Sequence, residues 1–139
     1  MEHLQPIISG VKQVYRDYER KSLVETDLFK KKYSFEKRLD ESERIINAYP
    51  NRVPIIVERY NTILPKIDRK KYLAPSDLSM GNFLYVIRKR LKLEPEKSLF
   101  LFVNAKLIPM SQHLGFIYDN NKDDDGFLYI TYCEETTFG

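Results

Sequence analysis

Asp123-Asp124-Asp125-Gly126-Phe127-Leu128-Tyr129-Ile130-Thr131-Tyr132, followed by Cys133-Glu134-Glu135-Thr136-Thr137-Phe138-Gly139, joins a polar turn, a strong strand and a polar tail ending on glycine. Asp-Gly is turn chemistry, because glycine takes positive φ without a Cβ clash. Phe127 to Tyr132 is wholly aromatic, β-branched or leucine, which suits a strand buried on both faces in the middle of a sheet. The chain then leaves the sheet, and no side chain crowds the carboxylate of Gly139. Such a tail suits a carrier whose C-terminus is activated and joined to something else.

Working outward, the other elements follow from pattern. Val11 to Val24 carries apolar residues at weakly helical spacing, so residues 1–26 read as an extension of the body. Phe35 to Tyr49 is a helix capped by Ser34, with Phe35, Leu39, Ser42, Ile45, Ile46 and Tyr49 on one face. Val53 to Tyr60 is a strand whose early Pro54 points to an edge or a first paired position. Lys71 to Ala74 is a short strand closed by Pro75. A second strong helix starts at Ser76-Asp77 and ends in Arg88, Lys89, Arg90 and Lys92, where cations complement the helix dipole. Leu99 to Val103 is a central strand and Leu107-Ile108 a short one. Met110 to Tyr118 forms a helical turn, and Asp119 to Gly126 a solvated loop. A mixed sheet with one long helix across a face satisfies this order.

Composition bounds the function. At 139 residues the chain is one domain, residues 27–139, with the 1–26 extension. The 42% hydrophobic residues suffice for a core, in which Tyr and Phe supply the bulk because tryptophan is absent. A single cysteine, Cys133, excludes an internal disulfide, and its acidic neighbours disfavour a thiolate, so it reads as a small filler. No apolar run approaches the roughly 20 residues of a membrane span. No signal pattern opens the chain, so a cytoplasmic protein is expected. The net charge of +3 hides an uneven layout. Residues 53–92 hold nine bases and three acids, whereas residues 93–139 hold three bases and eight acids.

Chemistry-bearing motifs are scarce. There is no glycine-rich phosphate loop, and His3 and His113 stand far apart. The three aspartates lack the alternate spacing and terminal Glu of a calcium loop, so a solvated turn is expected. Nothing resembles a catalytic dyad or triad. No enzyme, cofactor or metal is expected.

Phe35-Glu36-Lys37-Arg38, Glu41 to Ile45, Pro50 to Glu58, Lys71 to Pro75, Tyr85 to Arg90, Pro95-Glu96-Lys97, Phe102-Val103-Asn104, Asp125 to Tyr129 and Phe138-Gly139 form a recognisable set. Together these stretches resemble the Atg8/LC3/GABARAP family of ubiquitin-like autophagy modifiers. The likeness runs from about Phe29 to Gly139. It implies an α+β ubiquitin-like β-grasp, in which a mixed four- to five-stranded sheet with a crossing helix is preceded by N-terminal helices. It also implies that Gly139 is joined to phosphatidylethanolamine through E1-like activating and E2-like conjugating enzymes. Phe138 would be the handle for processing, and a cysteine protease would act in processing or delipidation. The protein would then sit on autophagosomal or other vesicle membranes.

The same resemblance implies docking of receptors carrying aromatic-x-x-aliphatic motifs along the edge Lys71-Tyr72-Leu73. Its first pocket would use Glu41, Ile45, Pro54, Ile56, Lys71, Leu73 and Phe127. The second would use Tyr72, Ala74, Pro75, Leu78, Phe83 and Val86, while Arg52, Arg69, Lys70 and Arg90 would meet acidic flanks. Each anchor contributes about 1.5–3 kcal/mol on burial. After association costs, micromolar affinity of about −8 kcal/mol is expected. The chain departs from the family in its longer N-terminal arm, a shorter Asn61 to Pro65 loop and an altered Lys106 to Ser111 stretch.

Two other readings compete. One is a non-covalent basic module using Arg69 to Lys71 and Arg88 to Lys92 on RNA, microtubules or anionic membrane. The other is a protein-to-protein modifier. No nucleic-acid partner is expected on the favoured reading, and salt separates it from the basic module. Phosphate-dominated binding falls steeply between 50 and 200 mM salt, by roughly 10³-fold or more for many contacts. Two-anchor peptide docking is expected to change only a few-fold across the same titration, and a steep slope would refute it.

Overall fold

Phe127 to Tyr132 does lie at the centre of a sheet. The computed structural model describes residues 27–134. The 1–26 extension with its expected helix, and the tail from residue 135 including Phe138 and Gly139, lie outside the described residues. The element order is α1 (Phe29–Lys32), α2 (Phe35–Ala48), β1 (Arg52–Arg59), β2 (Lys71–Pro75), α3 (Met80–Leu91), β3 (Phe100–Val103), β4 (Lys106–Leu107), α4 (Leu114–Asn121) and β5 (Leu128–Cys133). The five strands are ordered β2-β1-β5-β3-β4. β1 and β5 run parallel and the other neighbours antiparallel, so the sheet is mixed.

The helix α3 covers one face. Met80, Phe83, Ile87 and Leu91 recur at helical spacing and are all buried. They pack on Val53, Ile55 and Val57 of β1 and on Leu128, Ile130 and Tyr132 of β5, which alternate along their strands. The cap is Ser79, whose Oγ accepts from the Asn82 N–H at 3.1 Å. The helix therefore starts later than the expected Ser76-Asp77. Ser76 is drawn into a turn, its N–H donating to the Asn51 carbonyl and its own carbonyl accepting from Gly115. Leu78 precedes the helix but still packs on the core.

On the opposite face, Ser34 caps α2 as expected, accepting from the Lys37 N–H at 3.3 Å. The face of α2 read from sequence is turned inward at Leu39, Ser42, Ile45 and Ile46, which are buried or half-buried, but not at its two ends. Phe35 is 44% exposed and Tyr49 51% exposed, while the buried residues are Arg38 and Ser42. This helix is fastened by polar contacts, which a hydrophobic pattern cannot reveal. The aspartate run is the other half of that fastening. Asp125 is 0% exposed, so the expected solvated turn is correct for Asp124 but not for Asp125. The loop is also shorter than expected, because α4 extends to Asn121 and starts only at Leu114.

Pro54 sits on an interior strand rather than an edge. The Val57 N–H donates toward β2 and the Tyr60 N–H toward β5, so even-numbered residues of β1 face β5. Pairing with β5 begins only at Ile55, so the donor that Pro54 lacks faces no ladder partner. The β3–β4 hairpin turns at Asn104 and Ala105, both at positive φ, pairing Val103 with Lys106. That tight turn shifts β4 one residue earlier than the expected Leu107-Ile108.

Tyr132 ties β5 to the loop before β2. Its Oη donates to the Pro65 carbonyl at 2.7 Å and accepts from the Ile67 N–H at 2.9 Å. Burial pushes its pKa up from 10.0 to about 12, against a smaller downward pull from the Ile67 bond. Below pH 10 the hydroxyl is protonated in both folded and unfolded chains, and its contribution is fully present. Between about 10 and 12 only the unfolded chain ionises, so stability falls as pH rises. Urea denaturation of native chain and Tyr132→Phe across pH 8–12 should show a shallower fall above pH 10 in the variant. The variant should also lose about 1–2 kcal/mol at neutral pH from the two missing bonds. Parallel pH curves would contradict this assignment.

Candidate functional site

β2 is an edge strand, so half of its backbone groups are unclaimed by the sheet. The Lys70 carbonyl accepts from Val57, and Tyr72 and Ala74 lie opposite Ile55 and Val53. By alternation, Lys71 and Leu73 turn their N–H and C=O groups outward. Arg52 Nη1 already reaches the Leu73 carbonyl at 3.4 Å. An extended peptide could add a strand here.

The side chains of β2 alternate between an apolar cluster on the α2 side of the sheet and the main core on the α3 side. On the α2 side, Leu73 lies opposite Pro54 and Lys71 opposite Ile56. Ile56 and Phe127 are 0% and 1% exposed and form one cluster with Ile45, Tyr129 and Phe29. Phe29 meets Phe127 edge-on at 5.3 Å between ring centroids. Lys71 Nζ stands 5.5 Å from the Phe29 ring and 2.8 Å from Glu41 Oε2, so an ion pair spans this hollow from α2 to β2. The structure thus gathers Glu41, Ile45, Pro54, Ile56, Lys71, Leu73 and Phe127 on one face. Phe29, which the sequence reading left out, belongs with them. Its only local signal is a lone aromatic before three lysines.

On the α3 side, Tyr72 packs edge-on against Phe83 at 5.6 Å, and Ala74 and Leu78 join the same core. Val86 is exposed on α3. Strand alternation puts Pro75 on the face of Lys71 and Leu73, away from Tyr72 and Ala74. An open depression continues from Val86 over Tyr85, Lys89, Arg90 and Lys92 to Asp68.

The flanking cations divide. Arg90 makes a forked contact with Asp68, at 3.3 Å from Nε and 3.0 Å from Nη2. Arg69 is exposed. Lys70 is turned inward, bonded to Glu58 at 3.3 Å and to the Asp27 carbonyl. Glu58 in turn accepts from the Phe29 N–H at 2.6 Å, so this residue steadies the start of α1.

Among the described residues, no group of three His, Cys, Asp or Glu could hold a metal ion, and no helix is long and apolar enough to cross a membrane. Phe138 and Gly139 lie beyond the described residues. The last described residue, Glu134, is 3.4 Å from Lys97 Nζ.

Comparison with known proteins supports the fold. The profile of the family described as "Autophagy protein Atg8 ubiquitin like" matches residues 37–139. The chain is 54% identical over 112 residues to Autophagy-related protein 8 of Mycosarcoma maydis, covering 80% of this chain and 95% of that protein. It is 53% identical over 112 residues to Autophagy-related protein 8 of Schizosaccharomyces pombe, covering 80% and 93%. It is also 53% identical over 112 residues to Autophagy-related protein 8c of Arabidopsis thaliana, covering 80% and 94%. The crystal structure of Trypanosoma brucei ATG8 superposes with a TM-score of 0.70 at 44% identity, covering 77% of this chain and 93% of that one.

Tyr72 Oη is buried, and among the described residues it has no partner in hydrogen-bond geometry, although the Arg90 guanidinium lies close by. Burial raises its pKa, and nearby Arg90 only partly offsets this. Removing an unsatisfied hydroxyl relieves a desolvation cost. Tyr72→Phe is therefore expected to leave the fold unchanged or more stable by up to about 1 kcal/mol in urea titrations. A loss of that size would mean that the hydroxyl is bonded.

Proposed function

Because this chain belongs to the Atg8 family of ubiquitin-like autophagy proteins, we propose that Gly139 is joined to phosphatidylethanolamine and that β2 docks receptor peptides. The observation that carries the first part is the match of the family profile through residue 139, directly behind a central strand. A core strand gives the tail a rigid base. A C-terminal glycine gives an enzyme thiol an unobstructed path to the carboxylate.

The chemistry runs in four transfers, all catalysed by other proteins. A carboxylate oxygen of Gly139 attacks the α-phosphorus of ATP and releases pyrophosphate. The thiolate of an E1-like enzyme displaces AMP, and the acyl group passes to the thiol of an E2-like enzyme. The lipid amine then displaces that thiol, loses a proton and leaves an amide. Phe138 is the handle for the processing and activating machinery, and a cysteine protease reverses the amide. The product resides on autophagosomal or other vesicle membranes. The family supplies a ubiquitin-like modifier rather than a catalyst.

In the docking role, a peptide strand on β2 places its aromatic residue over the Ile56–Phe127 hollow and its aliphatic residue beside Tyr72 and Val86. Arg52, Arg69 and Arg90 meet its acidic flanks. The free edge of β2, with apolar clusters on both of its sides, supports this reading over a basic nucleic-acid module.

The decisive measurement is a reconstituted lipidation reaction with Gly139→Ala. The variant should melt like the native chain, within about 0.5 kcal/mol, and give no lipid adduct. Full lipidation of the variant, or transfer of the native chain to lysine in preference to lipid, would overturn the proposal.

A further inference from the structure

The two hollows beside β2 are built differently. The α3-side hollow rests on ordinary core packing. On the α2 side, helix α2 meets the turn that carries Phe127 in two ways: Ile45 packs on the Ile56–Phe127 cluster, and Arg38 and Ser42 bond to buried Asp125. Asp125 Oδ1 accepts from the Phe127 N–H at 2.9 Å, fixing the backbone that carries the floor ring. Asp125 Oδ2 accepts from Arg38 Nη1 and from Tyr129 Oη, each at 2.5 Å. The Asp125 carbonyl accepts from Ser42 Oγ at 2.5 Å. Arg38 and Ser42 lie one turn apart on the helix that also carries Glu41 and Ile45.

The approach of α2 to this turn is close. Gly126 adopts φ +88, and a Cβ there would lie 2.3 Å from Ser42 Oγ. None of Asp125's hydrogen-bond partners among the described residues belongs to the α3-side hollow.

We propose that Asp125 is the positioning residue of the aromatic-anchor hollow, setting the distance between its α2 wall and its Phe127 floor without itself touching a peptide. The proposal rests on the docking reading above. Asp125→Asn keeps the shape but weakens the attachment to Arg38, so wall and floor lose their fixed spacing. Tyr129→Phe removes one of the same bonds with less disturbance to the fold.

The test measures binding of an aromatic-x-x-leucine peptide with acidic flanks, and of versions with either anchor changed to alanine, by calorimetry on the full chain. In the native chain each alanine is expected to weaken binding by roughly 10–100-fold. In Asp125→Asn the aromatic penalty should shrink to about threefold while the leucine penalty stays as it was. Tyr129→Phe should shift in the same direction by less. A purely structural role would lower both penalties together, and that result, or two unchanged penalties, overturns the proposal.

A peptide-free readout separates this idea from the docking reading. Amide and methyl NMR shifts in the variants should change at Phe29, Ile45, Ile56 and Phe127, with Phe83 and Val86 unmoved. Changes spread over both groups, or absent from the first, overturn the positioning role. If the native chain binds no such peptide while the shifts remain confined to the first group, docking fails and the positioning of the hollow stands.

Discussion

A buried ion pair holds the helical N-terminal layer onto the grasp-shaped core. Arg38 and Asp125 meet at 2.5 Å, with side chains 10% and 0% exposed. Taking both charges from water costs several kcal/mol, and the cost is repaid only where every remaining lone pair finds a donor. Asp125 meets that condition through Tyr129 and the Phe127 amide, and Arg38 through the Tyr33 carbonyl at 3.1 Å. Burial alone would lower the arginine pKa, but the bonds to Tyr129 and Asp125 outweigh it and the net shift is upward. Burial and the bond to Asp125 together hold the Tyr129 hydroxyl protonated. Both donors therefore keep their protons throughout ordinary pH, and their bonds to Asp125 act as a fixed joint.

That joint explains an asymmetry across the sheet. The α3 layer is a conventional hydrophobic stack, in which a change at Phe83 or Ile87 costs through cavity formation. The α1–α2 layer has only a small apolar cluster around Phe29, Ile56 and Phe127. Its remaining contacts are polar: Lys30 with Asp123, Glu41 with Lys71, and Arg38 with Asp125. Polar contacts act over short ranges and narrow angles, so this layer is placed accurately but held by few groups.

The core was legible in the residues because hydrophobic periodicity reports burial. The β5 run and the α3 stripe both sit where that logic puts them. The polar layer was not, because an arginine on a helix looks the same whether it faces water or a buried carboxylate. Asp125 was invisible for the same reason, hidden in a run whose neighbour Asp124 is exposed. The start of α3 was misplaced because Ser76 and Ser79 are both good caps, and only the tertiary contacts of Ser76 with Asn51 and Gly115 choose between them. The face on which each β2 side chain lies follows strand alternation, which parts Pro75 from Tyr72 and Ala74, whereas the inward turn of Lys70 depends on Glu58 and Asp27, both remote in sequence.

The parallel pairing of β1 with β5 has a geometric corollary. Strands running the same way finish at the same end, as the pairing of Arg59 with Tyr132 shows. Asp27, where the described polypeptide begins, is pinned there too, by Lys66 at 2.8 Å, and it borders the same small cavity as Tyr132. Asp27 and Tyr132 therefore share one pole of the described residues, while the free edge of β2 runs along their flank. A surface that meets the Tyr132 pole meets Asp27 as well, leaving the β2 flank open to the surrounding solution.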